Sequence, residues 1–181
     1  MSLSEMLVTI LILVIIISLL IGMYFTYIGA FKIQMAYNEL NSNSIIAFDK
    51  ITSRIKGAAR VAEQATINSI EYTTDYDTLI LELPSIDEDQ NIIFGAYDYF
   101  VIYRDPADNT LLKFDIEPDT GSSRQSGARL VSEYVDEIIF NFNNIDYTAV
   151  NKIETILVTK QDAGRTEQVI IMQNTTKIRN K

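Results

Sequence analysis

A long segment without a charged side chain, from Met6 to Phe31, constrains the fold of this chain more than any other feature. A bilayer core about 30 Å thick needs ~20 apolar residues in a helix, and this segment exceeds that length. Tyr and Phe residues gather at its far end, just before Lys32, as they do at a membrane surface. It is a poor signal peptide, because its apolar core is too long, no basic residue precedes it and no small-residue cleavage site follows. The sequence therefore predicts one membrane-spanning helix.

Composition limits what the remaining residues can do. The chain has 181 residues and a net charge of −9, which leaves room for one modest domain beside the span. Cysteine and histidine are both absent, which excludes disulfides, zinc–thiolate sites, a cysteine nucleophile and the commonest general base. We expect a non-enzymatic protein with no catalytic residues, no metal and no cofactor. The acidic balance also argues against nucleic acid as the main partner.

Two features distinguish the start of the chain from an ordinary anchor. Glu5 lies one residue before the charge-free segment, where a carboxylate still needs a partner. No Lys or Arg precedes the segment, so the basic flank that usually sets orientation is missing. Both features are expected if a short basic leader once preceded Met1 and has been removed.

The residues from Met1 to Leu11 resemble the mature N-terminus of type IV pilins and type II secretion pseudopilins. That family has an aromatic or Met first residue, a hydroxyl residue, Leu, a variable residue, Glu and then Met- and Leu-rich apolar sequence. The resemblance implies that a prepilin peptidase cuts before Met1 and methylates its amino group. It also implies that Glu5 pairs with the amino terminus of a neighbouring subunit, since opposite charges attract strongly in low dielectric while each alone is costly. The alternative is that Glu5 only marks the membrane boundary.

One departure from the family pattern is a glycine in place of proline. Family members often have Pro about two-thirds of the way along the apolar segment, where the helix loosens in the filament. This chain has Gly22 there, with Gly29 two turns later. Glycine weakens helix interiors, so we expect Gly22 to take the place of the proline. The alternative is that it allows close helix packing in lipid.

Beyond Lys32 the helical pattern continues with one apolar stripe. Its members are Ile33, Tyr37, Leu40, Ser44, Ala47, Phe48, Ile51 and Ile55. We predict one nearly continuous helix from about Ser2 to about Glu63. The predicted organisation is a membrane and assembly helix over 1–31, its amphipathic continuation over 32–64, and a β-rich globular domain over 65–181.

From Ile67 onward the apolar period changes to two, which is typical of strands. The expected strands are Asn68–Thr73, Thr78–Leu83, Tyr97–Arg104, Thr110–Ile116, Glu137–Phe142, Ile153–Thr159 and Glu167–Gln173. We predict that the first two form a hairpin and that Leu130–Val135 forms a short helix or turn. The predicted class is α+β, with an antiparallel sheet packed on the stripe of the helix. This order of strands loosely resembles the larger minor pilins and the J-type pseudopilin.

Together these features predict a structural filament subunit, either a major or a minor pilin. The resemblance implies self-association or association with other pilin subunits, and contacts with a prepilin peptidase and an inner-membrane assembly platform. It also implies a single-pass inner-membrane protein that later enters an extracellular or periplasmic filament. Two alternatives stay open: a secretion or competence pseudopilin, and a bitopic membrane protein with an extracytoplasmic sensor or binding domain. The acidic groups Asp87–Asp89 and Asp75 with Asp77 fit a solvated loop better than a calcium site.

Overall fold

The computed structural model describes residues 2–164 and 166–179. Its first element is a single helix, α1, which runs from Leu3 to Gly57. Ser2 caps the start of α1 with a capping box, and Arg54 and Lys56 lie in its last turn, where positive charge complements the helix dipole. The predicted extension to Glu63 is wrong. Ala58 adopts an extended conformation and the next residues join a sheet instead.

The domain beyond the helix is built from antiparallel strands in three sheets. The described residues contain β1 Arg60–Val61, β2 Gln64–Ile67, β3 Ile70–Thr73, β4 Leu79–Ile86, β5 Ile92–Asp105, β6 Asp108–Glu117, β7 Arg129–Ser132, β8 Val135–Phe142, β9 Lys152–Ala163 and β10 Thr166–Lys177. The largest sheet has the order β1-β4-β5-β6-β7, the second β10-β9-β8, and β2 pairs with β3 alone. A short 3-10 turn, Tyr147–Ala149, precedes β9. The α+β prediction is thus confirmed.

The main core lies where the second half of α1 meets both larger sheets. The helix contacts β9 and β10 on one side and β4 and β7 on the other. Its buried residues are Leu40, Ser44, Ala47, Ile51, Thr52 and Ile55, so the predicted stripe is confirmed from Leu40 onward. Each fully buried aliphatic side chain stabilises the fold by about 1.5–3 kcal/mol relative to exposure. These contacts fix α1 on the domain at its C-terminal end.

A second, smaller core covers the opposite face of the five-stranded sheet. Ile67 of β2 packs there with Ile80 of β4 and Val101 of β5. Because β4 is therefore covered on both faces, its apolar residues run consecutively instead of alternating. The β2–β3 hairpin thus serves as a cover for the sheet.

Two local predictions are wrong, the pairing of one hairpin and the conformation of one short segment. The segment 70–73 pairs with 64–67, and 79–86 pairs with β1 and β5, so the predicted hairpin between them does not form. Asn68 and Ser69 make the actual turn with φ values of 51° and 67°. A helix or turn was predicted over Leu130–Val135, but Arg129–Ser132 forms the edge strand β7, because β6 offers its free side for pairing.

Candidate functional site

The exposed N-terminal part of α1 is the largest uncovered apolar surface among the described residues. Large apolar side chains from Leu3 to Phe31 are exposed all around the helix. Within the described ranges, α1 is also the one helix long and apolar enough to cross a membrane, and none of its most apolar stretch is buried. Such a surface is a candidate membrane span and needs a lipid or protein cover.

Glu5 lies in the first turn of this helix and bonds to its own chain. Its Oε2 accepts a hydrogen bond of 2.8 Å from the backbone N–H of Ser2, and its own N–H donates to Ser2 Oγ at 3.3 Å. The carboxylate is exposed and close to the positive end of the helix dipole. Met1, the predicted processing and methylation site, lies outside the described residues. Within one subunit, therefore, the described partner of the Glu5 side chain is a backbone N–H.

Gly22 lies inside the uninterrupted helix and leaves space at its surface. A Cβ added at Gly22 would meet no atom within 4 Å, and Gly29 is equally open. The helix continues through both glycines without a break. A shallow groove surrounds Gly22, with Ser18, Thr26 and Ala30 on its floor. The sequence pattern drew attention to Gly22 and Gly29 but not to this series of small residues at four-residue spacing, the spacing that brings side chains onto one helix face.

Three hydroxyl groups in the exposed segment bond to backbone carbonyls of the helix itself. Thr9 Oγ1 donates to Glu5 O at 2.8 Å, Ser18 Oγ to Val14 O at 2.8 Å and Thr26 Oγ1 to Gly22 O at 3.0 Å. Polar groups that are satisfied in this way can enter a hydrocarbon environment at low cost. The segment is therefore compatible with lipid before any partner covers it.

Exposed apolar residues continue along α1 past the membrane-length segment. Met35, Ile45 and Ile46 lie off the buried stripe and are exposed, Ile46 by 49%, whereas the exposed Tyr37 continues the line of the stripe ahead of Leu40. The helix therefore carries apolar side chains on a second face, in a region where a plain anchor would be polar toward water. This second apolar face was not recognised in the sequence, because Ile45 and Ile46 adjoin the buried Ser44 and Ala47 in the chain.

The acidic residues that the structure describes are not grouped as metal ligands. Across residues 2–164 and 166–179, no group of three or more Asp or Glu side chains is arranged to hold an ion. Asp87 Oδ1 instead accepts a hydrogen bond of 2.8 Å from the Asn91 N–H and closes a turn. Asp75 Oδ1 likewise accepts from the Tyr76 N–H at 2.7 Å.

Comparison with known proteins adds no family assignment. A scan against protein-family models finds no match, and neither does a search of curated proteins.

Proposed function

We propose that the protein is a structural subunit of a type IV pilus-like filament, a major or minor pilin, whose α1 helix packs among the helices of neighbouring copies. The subunit would be a single-pass inner-membrane protein before assembly and part of an extracellular or periplasmic filament afterwards. A prepilin peptidase and an assembly platform would process and extract it. The protein would carry no catalytic activity.

The observation that carries this proposal is the second apolar face of α1 beyond the membrane-length segment. At 1.5 Å per residue the 55 residues of α1 extend about 80 Å, far more than the ~30 Å of a bilayer core. Met35, Ile45 and Ile46 would lie outside the membrane and remain in water if the helix were only an anchor. Packing against neighbouring helices would remove them from water, which is favourable in proportion to the apolar area buried.

Glu5 gives this packing a register. When a subunit leaves lipid for a filament, its carboxylate needs a positive partner, and the terminal amine of a neighbour would supply one. The intramolecular bond to the Ser2 N–H is short, yet it is a bond to a neutral donor. Exchange of that neutral donor for an ammonium would add the Coulomb attraction between two opposite charges, which is strong in a low-dielectric environment.

The test must separate the charge of Glu5 from its role in capping α1. In full-length chains expressed with the assembly machinery, Glu5→Gln keeps a capping side chain but removes the charge. Ser2→Ala removes the cap and keeps the charge. We expect the Gln variant to insert in the membrane without forming filaments, and the Ala variant to insert and form them. Normal filaments from Glu5→Gln would overturn the proposed pairing.

A second measurement addresses processing. Mass spectrometry of the mature N-terminus should find a methylated amino group on Met1. A formylated initiator methionine would instead favour the second candidate function, a bitopic membrane protein with an extracytoplasmic sensor or binding domain. A secretion or competence pseudopilin would give the same mass as a pilin, and the two would be distinguished by whether secretion or surface filaments are lost on deletion.

A further inference from the structure

A basic pocket lies between the end of α1 and the five-stranded sheet. Lys50 and Arg54 of the helix and Arg129 of β7 surround it, and Phe100, Phe114 and Val131 form its apolar floor. Its volume is about 290 Å³. Cofactor and drug-sized sites measure about 300–1,000 Å³, so this basic pocket fits a few protein side chains better than a larger ligand.

The positive charges of the basic pocket have no carboxylate partner within the described residues. The ion pairs among the described residues use other basic side chains, those of Arg60, Lys113, Arg124 and Lys160. Arg54 is half-buried with its guanidinium 5.4 Å from the centre of the Phe100 ring. Burial, followed by the nearby charges of Arg124 and Arg129, lowers the pKa of Arg54 from its usual value. An unpaired basic site in a chain of net charge −9 is suited to an acidic partner.

An acidic knob with an apolar tip lies at the N-terminal end of β5. We use this name for residues 88–94, which contain Glu88, Asp89, Ile92 and Phe94. Phe94 is 97% exposed and Ile92 is 56% exposed. Glu88 and Asp89 are exposed as well. A large aromatic side chain held almost entirely in water beside two carboxylates is a candidate contact for another protein surface.

The acidic knob is held in place by its own hairpin and by a neighbouring loop. The β4–β5 ladder pairs Ile86 with Ile92 and Pro84 with Tyr97, so residues 93–96 bulge out of register. Gly95 supports the bulge with a φ of 81°, a conformation that glycine adopts without strain. Ser123 braces the base of the knob: its N–H donates to Ile86 O and its Oγ to Asp87 O, both at 2.7 Å. Phe94 is thus presented by an ordered segment.

We propose that the acidic knob of one copy of this chain docks in the basic pocket of the next copy. Phe94 lies against the aromatic floor, and Glu88 and Asp89 face Lys50, Arg54 and Arg129. The proposal rests on the proposed function, which places copies side by side. The two surfaces are different parts of one chain, so the contact is heterologous, and repetition of such a contact builds an open helical assembly when the rotation between copies does not close a ring.

Other occupants fit the position of the basic pocket less well. Lys50 lies about 27 Å along the helix from Lys32 at 1.5 Å per residue, beyond the ~10 Å over which lipid head-group charge acts in salt. Nucleic acid would meet the strongly negative field of the rest of the chain. A second copy supplies both the carboxylates and the aromatic tip from residues already present.

Cross-linking of full-length chains in membranes tests the contact, because the chain has no cysteine of its own. Two differently tagged single-cysteine variants, Asn91→Cys on the knob and Leu130→Cys on the rim of the pocket, are co-expressed and oxidised. We expect a disulfide-linked heterodimer. The matched control replaces Asn91→Cys with Ile145→Cys, another exposed site elsewhere on the domain, and should give little product.

Charge exchange provides the second arm. Lys50→Glu with Arg129→Glu, or Glu88→Lys with Asp89→Lys, should each lower the heterodimer yield at least about tenfold through like-charge repulsion. Both pairs combined should restore it, which a folding defect would not do. The proposal is overturned if the heterodimer does not exceed the Ile145→Cys control, if Leu130→Cys links to a different protein, or if the combined variant stays low. If the wild type forms filaments but the heterodimer is not found, the proposed contact is wrong and the proposed filament function stands. If the heterodimer forms but no filaments do, the contact stands and the filament function is wrong.

Discussion

The buried carboxylate of Asp98 in β5 forms an ion pair with the guanidinium of Arg124, in the loop between β6 and β7. The same carboxylate accepts hydrogen bonds from Ser85 Oγ at 2.7 Å, the Asp119 N–H at 2.9 Å and Ser122 Oγ at 2.8 Å. One acidic side chain therefore holds this loop against the base of the β4–β5 hairpin. The acidic knob owes its fixed position in part to this network.

We predict that Asp98 makes the stability of the domain depend on pH. Burial pushes the pKa of Asp98 upward, but the hydrogen bonds from Ser85, Asp119 and Ser122 and the contact with Arg124 together hold it below the usual 3.8. A lowered pKa in the folded state means that the unfolded chain binds the proton more readily. The stabilisation is therefore present above about pH 4 and is lost as the pH falls through the lowered pKa of the folded state.

The variant Asp98→Asn should be less stable at neutral pH by about 3 kcal/mol, because it leaves Arg124 without its buried partner. The stability of this variant should also fall less steeply below pH 4 than that of the wild type, because the variant has no carboxylate at position 98 to protonate. Chemical unfolding of the full chain in detergent, measured from pH 3 to pH 7, gives both quantities. Asp89→Asn, on the exposed knob, is the control and should match the wild type. Identical pH profiles for Asp98→Asn and wild type would contradict the assignment.

We predict that replacing isoleucine by alanine lowers the stability of the subunit on the buried face of α1 and lowers filament assembly on its exposed face. Ile51 is 1% exposed and packs in the core, so Ile51→Ala should lower the free energy of unfolding by about 2–5 kcal/mol. Ile46 is on the uncovered face, so Ile46→Ala should change the stability of the isolated subunit by less than about 0.5 kcal/mol and reduce filament yield. Thermal unfolding in detergent and electron microscopy of filaments measure the two effects. Normal assembly of Ile46→Ala would argue that this face stays in water.

The helix was predictable because its pattern is local. A stripe with helical spacing from Leu40 to Ile55 identifies the buried face, and absence of charge identifies the exposed part. The end of the helix was not predictable. The helix stops at Gly57 and Ala58 is extended because Arg60–Val61 pairs with a strand some twenty residues later. Local periodicity does not contain that pairing.

The prediction of a hairpin between 68–73 and 78–83 was wrong for a related reason. The turn at Asn68 and Ser69 lacks the glycine that normally indicates a two-residue hairpin. Tertiary contacts support it instead: the Asn68 N–H donates to Glu117 Oε2 at 2.9 Å, and its Nδ2 donates to Asp115 Oδ1 at 2.9 Å. Those acids lie in β6, far along the chain, so no short window of sequence contains the signal.

Of the candidate sites, one could be found from local sequence and one could not. Glu5 was identified from sequence because its position relative to an apolar segment is a local feature. The basic pocket was missed because Arg129 joins Lys50 and Arg54 only after the sheet forms, with more than seventy residues between them in the chain. A search for basic clusters along the sequence cannot find charges that only the fold brings together.

The contact between Ser44 and Thr159 predicts energetic coupling between helix and sheet. Their hydroxyl oxygens lie 2.6 Å apart in the core, and Ser44 Oγ also lies 2.6 Å from Leu40 O. Ser44→Ala and Thr159→Val should each cost about 1 kcal/mol, and the double variant should cost less than their sum. Denaturant unfolding of the four proteins gives the coupling energy. Strict additivity would show that the hydroxyls contribute independently.

Gly22 offers a test between two roles that glycine can have in a filament helix. A Cβ at this position meets no atom within 4 Å in the subunit, so Gly22→Ala and Gly22→Leu should both stabilise the isolated helix by about 1 kcal/mol. If neighbouring helices pack closely on the groove formed with Ser18 and Thr26, the small Ala should be tolerated while the bulky Leu blocks assembly. If Gly22 instead serves to loosen the helix, both substitutions should reduce assembly equally, because both remove the backbone freedom of glycine.

We expect the first result, since α1 passes through Gly22 without a break. The measurement is filament yield relative to membrane-inserted subunit for the two variants, with Ser18→Ala as a control that keeps the groove open. Equal loss with Ala and Leu would assign Gly22 to helix loosening. Full assembly of Gly22→Leu would remove the groove from the filament interface, because a leucine side chain projecting from this face would prevent a second helix from approaching closely.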